Sequence, residues 1–344
     1  MMIDDEFPAC MDPWKRSTYV AEATKETNQI TSKPKDDTMD DRISPLGHTL
    51  NENVILRLVM PFMFACFTMT YIFTRDGGKL MVRIMNKYPL FFSGNEEKSK
   101  IEILYLLCLT PCWMVMFGII ISSGMYYGFD CWSYIYVCFP MAFVYVLLPW
   151  AFGLGAKDNQ LDYYLKANIW LGILSYVGSF YWTHYFYTLL GARYTFDSPP
   201  AHRLNDVPIP MYFGAHAYFC FYHMLTNLLI RRVRNSQLFQ RSDENHRLLL
   251  NSSFIGLIAY ITAFMETKTI EGFEYYEFEN REKALIVGSC VYMIYFIVSF
   301  PMFLRVDESV DRWSIYDVLM DSLACCMLIT ILLDWWKLIF GAVY

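Results

Sequence analysis

Seven ionisable side chains stand inside stretches that are otherwise apolar: His184, His216, His223, Glu266, Asp317, Asp321 and Asp334. Hydrocarbon penalises such groups, so a membrane segment that keeps one is a functional-site hypothesis by default. At about 1.5 Å per helical residue, His184 and His216 lie about 9–10 Å from the ends of their stretches. Glu266 lies four residues and Asp334 seven residues from theirs. Because successive segments alternate in direction, these four ends face the same side. His223, seven residues beyond His216, shares its face nearer the middle. Each group taken singly is explained by a hydrogen bond to a neighbouring helix. Asp317 and Asp321, one turn apart at a helix start, complement the helix dipole. Acids and bases gathered on one side point instead to proton transfer.

Aromatic runs surround these residues: Phe180 to Tyr187, Tyr218 to His223, and Phe273 to Phe278. Interfacial belts and helix packing account for many such rings. The functional alternative is an apolar pocket whose π faces stabilise a cation. An acid, a base and an aromatic wall together suit carbocation chemistry on a lipid. Other chemistries lack their signatures. There is no Walker loop, no GxSxG, no HExxH and no GxGxxG after a strand. The ten cysteines include no zinc-type pairing, and most lie in apolar runs as small buried hydrophobes. The spacing of His216 and His223 puts them about 10 Å apart along a helix, too far for a shared metal.

These residues have to be held by membrane helices. Of the 344 residues, 55% are hydrophobic and only 18% charged, and the mean hydropathy is +0.25. Soluble domains run nearer 45–50% apolar and about 25% charged. A net charge of −6 leaves no basic footprint for nucleic acid. Apolar stretches cover 54–74, 103–124, 132–153, 168–190, 209–230, 251–270, 284–303 and 317–341. Each approaches the ~20 residues that cross a bilayer, and in lipid they must be helical. The expectation is an all-α polytopic membrane protein with seven or eight transmembrane helices and a polar N-terminal tail.

Three parts are expected: a disordered polar tail over 1–53, an extra apolar segment with a basic loop over 54–102, and an integral membrane domain over 103–344. The start carries no cleavable signal pattern. One set of connecting loops carries fifteen Lys and Arg, the other four, so the first set is expected to be cytosolic. The 54–74 stretch holds Arg57 and Pro61. Either it spans, giving eight helices and a lumenal tail, or it lies peripherally, giving seven and a cytosolic tail. The sequon at Asn251 falls beside a cytosolic loop and is read as unused.

The run Trp182-Thr183-His184-Tyr185-Phe186, followed by Leu190-Gly191-Ala192-Arg193-Tyr194-Thr195-Phe196, closely resembles the cycloeucalenol cycloisomerases, the cyclopropyl sterol isomerases of plants. More of the pattern follows in order: Asn205-Asp206-Val207-Pro208, Phe221-Tyr222-His223-Met224-Leu225-Thr226-Asn227, and Arg231-Arg232-Val233-Arg234. Glu266-Thr267, Tyr275-Tyr276-Glu277-Phe278, the run Tyr295 to Phe303, and Ile331-Leu332-Leu333-Asp334-Trp335-Trp336 complete it. The resemblance covers about residues 96–344. The tail and the 54–74 stretch fall outside it.

The resemblance implies an isomerase of sterol biosynthesis in the endoplasmic reticulum membrane, acting on a cyclopropyl sterol within the lipid bilayer. It would open the 9,19-cyclopropane of cycloeucalenol to give obtusifoliol, with no cofactor and no metal. The reaction needs a proton at carbon 19, a cation near carbon 9 and loss of a proton from carbon 8. Among the candidates above, Glu266 is the first choice for the acid. His184 is the second, as acid or as base, and one group serving both roles stays open. Trp182, Tyr185 and Tyr276 are expected to face the cation. His216, His223 and Asp334 are candidate substrate-binding groups, with His216 or Asp334 on the 3-hydroxyl. A transporter, a seven-helix receptor and a non-catalytic sterol-binding protein are the competing classes. Only the last accounts for the pocket, and it leaves the acid without a purpose. Oligomeric state is not legible.

Overall fold

The computed structural model describes residues 54–154, 162–195, 202–271, 273, 275–309 and 311–344. The expected polar tail over 1–53 lies outside them. The chain is a bundle of helices: α1 (Ile55–Lys87), α2 (Glu96–Ser123), α3 (Cys131–Ala151), α4 (Tyr163–Phe180), α5 (Thr183–Leu190), α6 (Ile209–Arg234), α7 (Gln237–Arg241), α8 (Glu244–Glu271), α9 (Arg281–Leu304) and α10 (Ile315–Phe340). Two small antiparallel pairs complete it. β1 (Ala192–Tyr194) pairs with β4 (Tyr276–Phe278), and β2 (Arg203–Leu204) with β3 (Val207–Pro208).

Local signals set the helix ends. Asn95 caps α2 by accepting from the Lys98 amide, and Asp130 caps α3 through Ser133. Ser314 and Asp317 form a reciprocal capping box at the start of α10, so Asp317 does serve a helix start. Asp321 instead accepts from the Trp170 indole at 3.0 Å and pairs with Arg305. In α1 the backbone breaks at Arg75 to Gly78, where Asp76, Gly77 and Gly78 take positive φ. Two adjacent glycines make that left-handed path affordable.

Among the described residues, six helices are long and apolar enough to cross a membrane: α1, α2, α3, α8, α9 and α10. That is fewer than the seven or eight expected. The stretches at 168–190 and 209–230 became α4 and α6, and their polar content has a reason. These helices run through the interior, where α6 packs on α3, α4, α8 and α9, and α4 on α6 and α10. They bury Lys166, Asn168, His223, Asn227 and Arg231 and satisfy them inside the protein, so they need no lipid-facing apolar surface. The 54–74 stretch is no loose appendage. Val54, Leu58, Phe62, Cys66 and Thr70 are buried at four-residue spacing, a single stripe facing α2 and α3.

Sequence reading placed Lys98, Lys166, Arg231 and Arg312 in polar loops, but they belong to a buried ionic network at the end of the bundle marked by loops 88–95 and 305–314. Lys98 is 0% exposed. Its ammonium donates to the Leu304 and Val306 carbonyls at 2.7 and 2.6 Å and meets Glu308 at 2.8 Å. Arg231 grips Glu102 at 2.6 and 2.8 Å and Glu308 at 2.7 and 2.8 Å. Asn227 donates to Glu102 at 2.9 Å. Lys166 meets Asp307 at 2.8 Å, and Arg312 meets Glu97 at 3.1 Å. Burial alone would raise the Glu308 carboxyl. The Arg231 hydrogen bonds and the Lys98 charge outweigh it and hold Glu308 below its ordinary range. Its share of stability is complete above that range and is lost as falling pH protonates it.

Removing one partner of a buried ion pair typically costs about 3–5 kcal/mol, because the other charge stays behind. Arg231→Met is therefore expected to lower the unfolding temperature in detergent sharply. Adding Glu102→Gln should recover part of the loss. A single variant as stable as the parent would show that the network contributes little.

Candidate active site

At the opposite end, marked by the turn at 124–130, α5 and the β1–β4 pair, the helices line a cavity of about 500 Å³. This is the usual size for a small-molecule site. Nearly half of its lining side chains are aromatic, and the polar ones are chiefly hydroxyls. Glu266, from the last turns of α8, is the one charged or imidazole-bearing side chain among the lining residues.

Its carboxyl is held asymmetrically. Tyr292 of α9 donates to Oε1 at 2.9 Å. Oε2 is buried and has no hydrogen-bond partner, although the Tyr222 hydroxyl of α6 lies close to the carboxyl. The Tyr292 ring is fixed in turn by edge-on contact with Tyr295 at 4.9 Å and a tilted contact with Phe296 at 5.1 Å. One oxygen is thus anchored and the other left without a fixed partner, an arrangement able to deliver or accept a proton.

The wall opposite comes from α4, α5 and α10. Trp182 is 1% exposed overall, donates its indole N–H to Thr330 at 2.9 Å and packs against Tyr295 at 4.6 Å. Gly178 lies against it: a Cβ there would touch the Trp182 ring at 3.4 Å. Tyr185 donates to Asp334 Oδ1 at 2.6 Å. The β1–β4 pair closes the end, with Tyr194 opposite Tyr276 in register and their rings 5.4 Å apart. Burial pushes the phenols of Tyr194 and Tyr276 upward, so both stay neutral. At Gly191, which takes φ +59, a Cβ would fall 2.7 Å from the Tyr344 ring. The turn into β1 therefore requires glycine.

Four of the eight residues expected at a site line this cavity: Glu266, Trp182, Tyr185 and Tyr276. Asp334 is mostly exposed and reaches it only through the Tyr185 hydroxyl. The other three belong elsewhere. His184 shares the expected end of the bundle, but its ring is exposed, with Nδ1 2.6 Å from the Tyr181 carbonyl. On the short α5, the burial of Tyr185 and Leu189 turns position 184 outward. His216 meets Asn168 at 2.9 Å in a polar network with Tyr105 and Tyr145. His223 is fully buried, 2.9 Å from the Ser299 hydroxyl and packed among Phe300, Phe303 and Trp170. Both satisfy neighbouring helices.

Tyr292 escaped sequence reading, although it left a trace as a hydroxyl within the apolar stretch that follows the helix of Glu266. Tyr222 stood inside a run read only as aromatic wall.

Comparison with known proteins decides the family. The chain is 38% identical over 260 residues to a cycloeucalenol cycloisomerase of Arabidopsis thaliana, covering 74% of this chain and 90% of the relative. The chain belongs to the cycloeucalenol cycloisomerase family. It matches no family model and no solved structure. The expectation drawn from the ordered motifs between Trp182 and Trp336 is met at the level of family.

Tyr292→Phe removes the donor to Oε1 without changing the size of the ring. A hydrogen bond to a charged group is worth about 1.5–3 kcal/mol. Turnover is expected to fall about tenfold to a hundredfold while the protein stays folded in the membrane. Unchanged turnover would mean that Glu266 needs no anchor.

Proposed function

We propose that this protein is a sterol isomerase that opens the 9,19-cyclopropane ring of cycloeucalenol-type sterols. The observation carrying this reading is that the family's motifs converge on an apolar, aromatic cavity with a single carboxyl. In the reaction, the electron pair of the C9–C19 bond takes the proton from Glu266 Oε2. Carbon 19 becomes a methyl group and carbon 9 a tertiary cation. The C8–H bond then yields its pair to the new 8,9-double bond, and its proton returns to the Glu266 carboxylate. Nothing is gained or lost, as an isomerisation requires.

A cyclopropane is a very weak base. The acid must carry its proton into a water-poor site, where apolar surroundings disfavour a bare carboxylate. Release of ring strain then assists the step. The faces of Trp182, Tyr185 and Tyr276 stabilise the cation, at about 0.5–2 kcal/mol each. With no second carboxyl and no imidazole among the described lining residues, Glu266 carries the proton in and takes the other out. His184 has no part in this scheme.

We further propose the endoplasmic reticulum membrane as the place of the reaction, which rests on the family resemblance. We read α4 and α6 as crossing it together with the six more apolar helices. Their positions between α3, α8 and α10 support this eight-span arrangement.

The test is a sterol profile. Membranes of yeast expressing the chain, supplied with cycloeucalenol in deuterated water, should yield obtusifoliol with deuterium in its new methyl group. Glu266→Gln should lose at least the 10²–10⁴-fold that a positioned acid typically supplies, whereas His184→Ala should stay within about threefold of the parent. A substrate that binds but never reacts in the parent protein would leave a non-catalytic sterol-binding protein. An inactive His184→Ala would return His184 to the mechanism.

A further inference from the structure

Nearly every residue around the cavity is buried or half-buried, and the exceptions are grouped. Met114, Gly118 and Ile121 line the cavity and are also exposed on the outside, Met114 at 41% and Ile121 at 46%. They sit at i, i+4 and i+7 and so share one face of α2. The remaining exposed lining residue is Thr269, on α8. The residues that both line the cavity and are exposed thus lie on two elements, the second half of α2 and the end of α8.

Rings frame the gap between these two elements. Tyr126 meets Phe273 at 5.3 Å on the side of the nearby loops. Trp113 meets Tyr218 at 5.0 Å toward the bundle centre. From Met114 to Ile121 the gap runs about 10 Å along the helix. Gly118 stands at its middle, and a Cβ built there meets nothing within 4 Å. The backbone of α2 contributes. A π-helical turn at Tyr105–Leu109 and then Pro111 stand just before the gap, the features at which helices bend. Both α2 and α8 are apolar enough to cross a membrane, so the gap opens toward hydrocarbon rather than water.

We infer that the gap between Gly118 of α2 and Thr269 of α8 is a lateral mouth through which a flat, apolar sterol passes directly from the bilayer into the cavity. This rests on the reading of the ligand as a sterol. Gly118 leaves the mouth open, and the apolar rim formed by Met114 and Ile121 keeps the ligand out of water along its route.

The experiment follows binding without turnover. The full chain in liposomes receives dehydroergosterol from cyclodextrin, and energy transfer from protein tryptophan, with Trp113 and Trp182 in the cavity wall, reports occupancy. Gly118→Phe and, from the other wall, Thr269→Phe should each slow filling and release at least tenfold. Final occupancy should stay within twofold, because a narrowed passage changes rates and not the end state. Gly118→Ala should behave as the parent. Parent-like rates in both folded Phe variants would overturn the proposal, as would a parent that takes up no dehydroergosterol. Turnover of cycloeucalenol separates the two readings. Turnover with unaltered Phe-variant rates removes the mouth and keeps the isomerase. Slowed rates without turnover keep the mouth and remove the isomerase.

Discussion

Arg231, 4% exposed, holds two carboxylates at once. Hydrocarbon supplies no partner for a charge, so Glu102, Glu308, Lys98 and Arg231 can leave water only together. Their mutual attachment joins α2, α6 and the loop after α9, and Lys166 with Asp307 brings in α4. The opposite end of the bundle has the reverse arrangement. There a single carboxyl stands in an aromatic chamber with one oxygen anchored and the other unpartnered. Charges are matched at one end of the bundle, whereas at the other a lone carboxyl is held by tyrosine hydroxyls.

The bundle and much of its site were legible in the sequence because two signals were strong. Apolar stretches of bilayer length announced the helices, and a carboxyl four residues from the end of one announced the charged side chain that lines the cavity. Parity of the helices put Glu266, His184, His216 and Asp334 at one end, but parity gives depth and not rotation. Rotation about the helix axis sent His184 outward and His216 toward Asn168, and on a short helix like α5 no periodicity is long enough to reveal it. Interior helices are harder to recognise as spans for a related reason. Hydropathy measures what faces lipid, and α4 and α6 face protein. The ionic network escaped because Lys98, Glu102 and Arg231 sit at segment ends, where a charge normally means water.

The aromatic residues divide between two duties that composition alone cannot separate. Tyr105, Tyr145 and Trp113 tie α2 to α3 through hydroxyl and indole hydrogen bonds. Trp182, Tyr194 and Tyr276 shape the cavity. Trp113 does both. A hydroxyl on the Tyr292 ring is what turns an otherwise ordinary packing residue into the anchor of the Glu266 carboxyl.

The same ionic network dictates an order of assembly. Glu102 emerges from the ribosome 129 residues before Arg231, and Lys98 more than 200 before the carbonyls of Leu304 and Val306 that receive its ammonium. Lys98 therefore has its full set of partners only when most of the chain has been made. Glu102 can meet Arg231 once α6 is made, but Lys98 reaches the Leu304 and Val306 carbonyls only when α9 has been inserted and the following loop has turned back. That step comes after α6 and α8 have already brought the cavity walls into the bilayer. Closing the ionic end is thus the late event that locks together a chamber whose parts were laid down earlier.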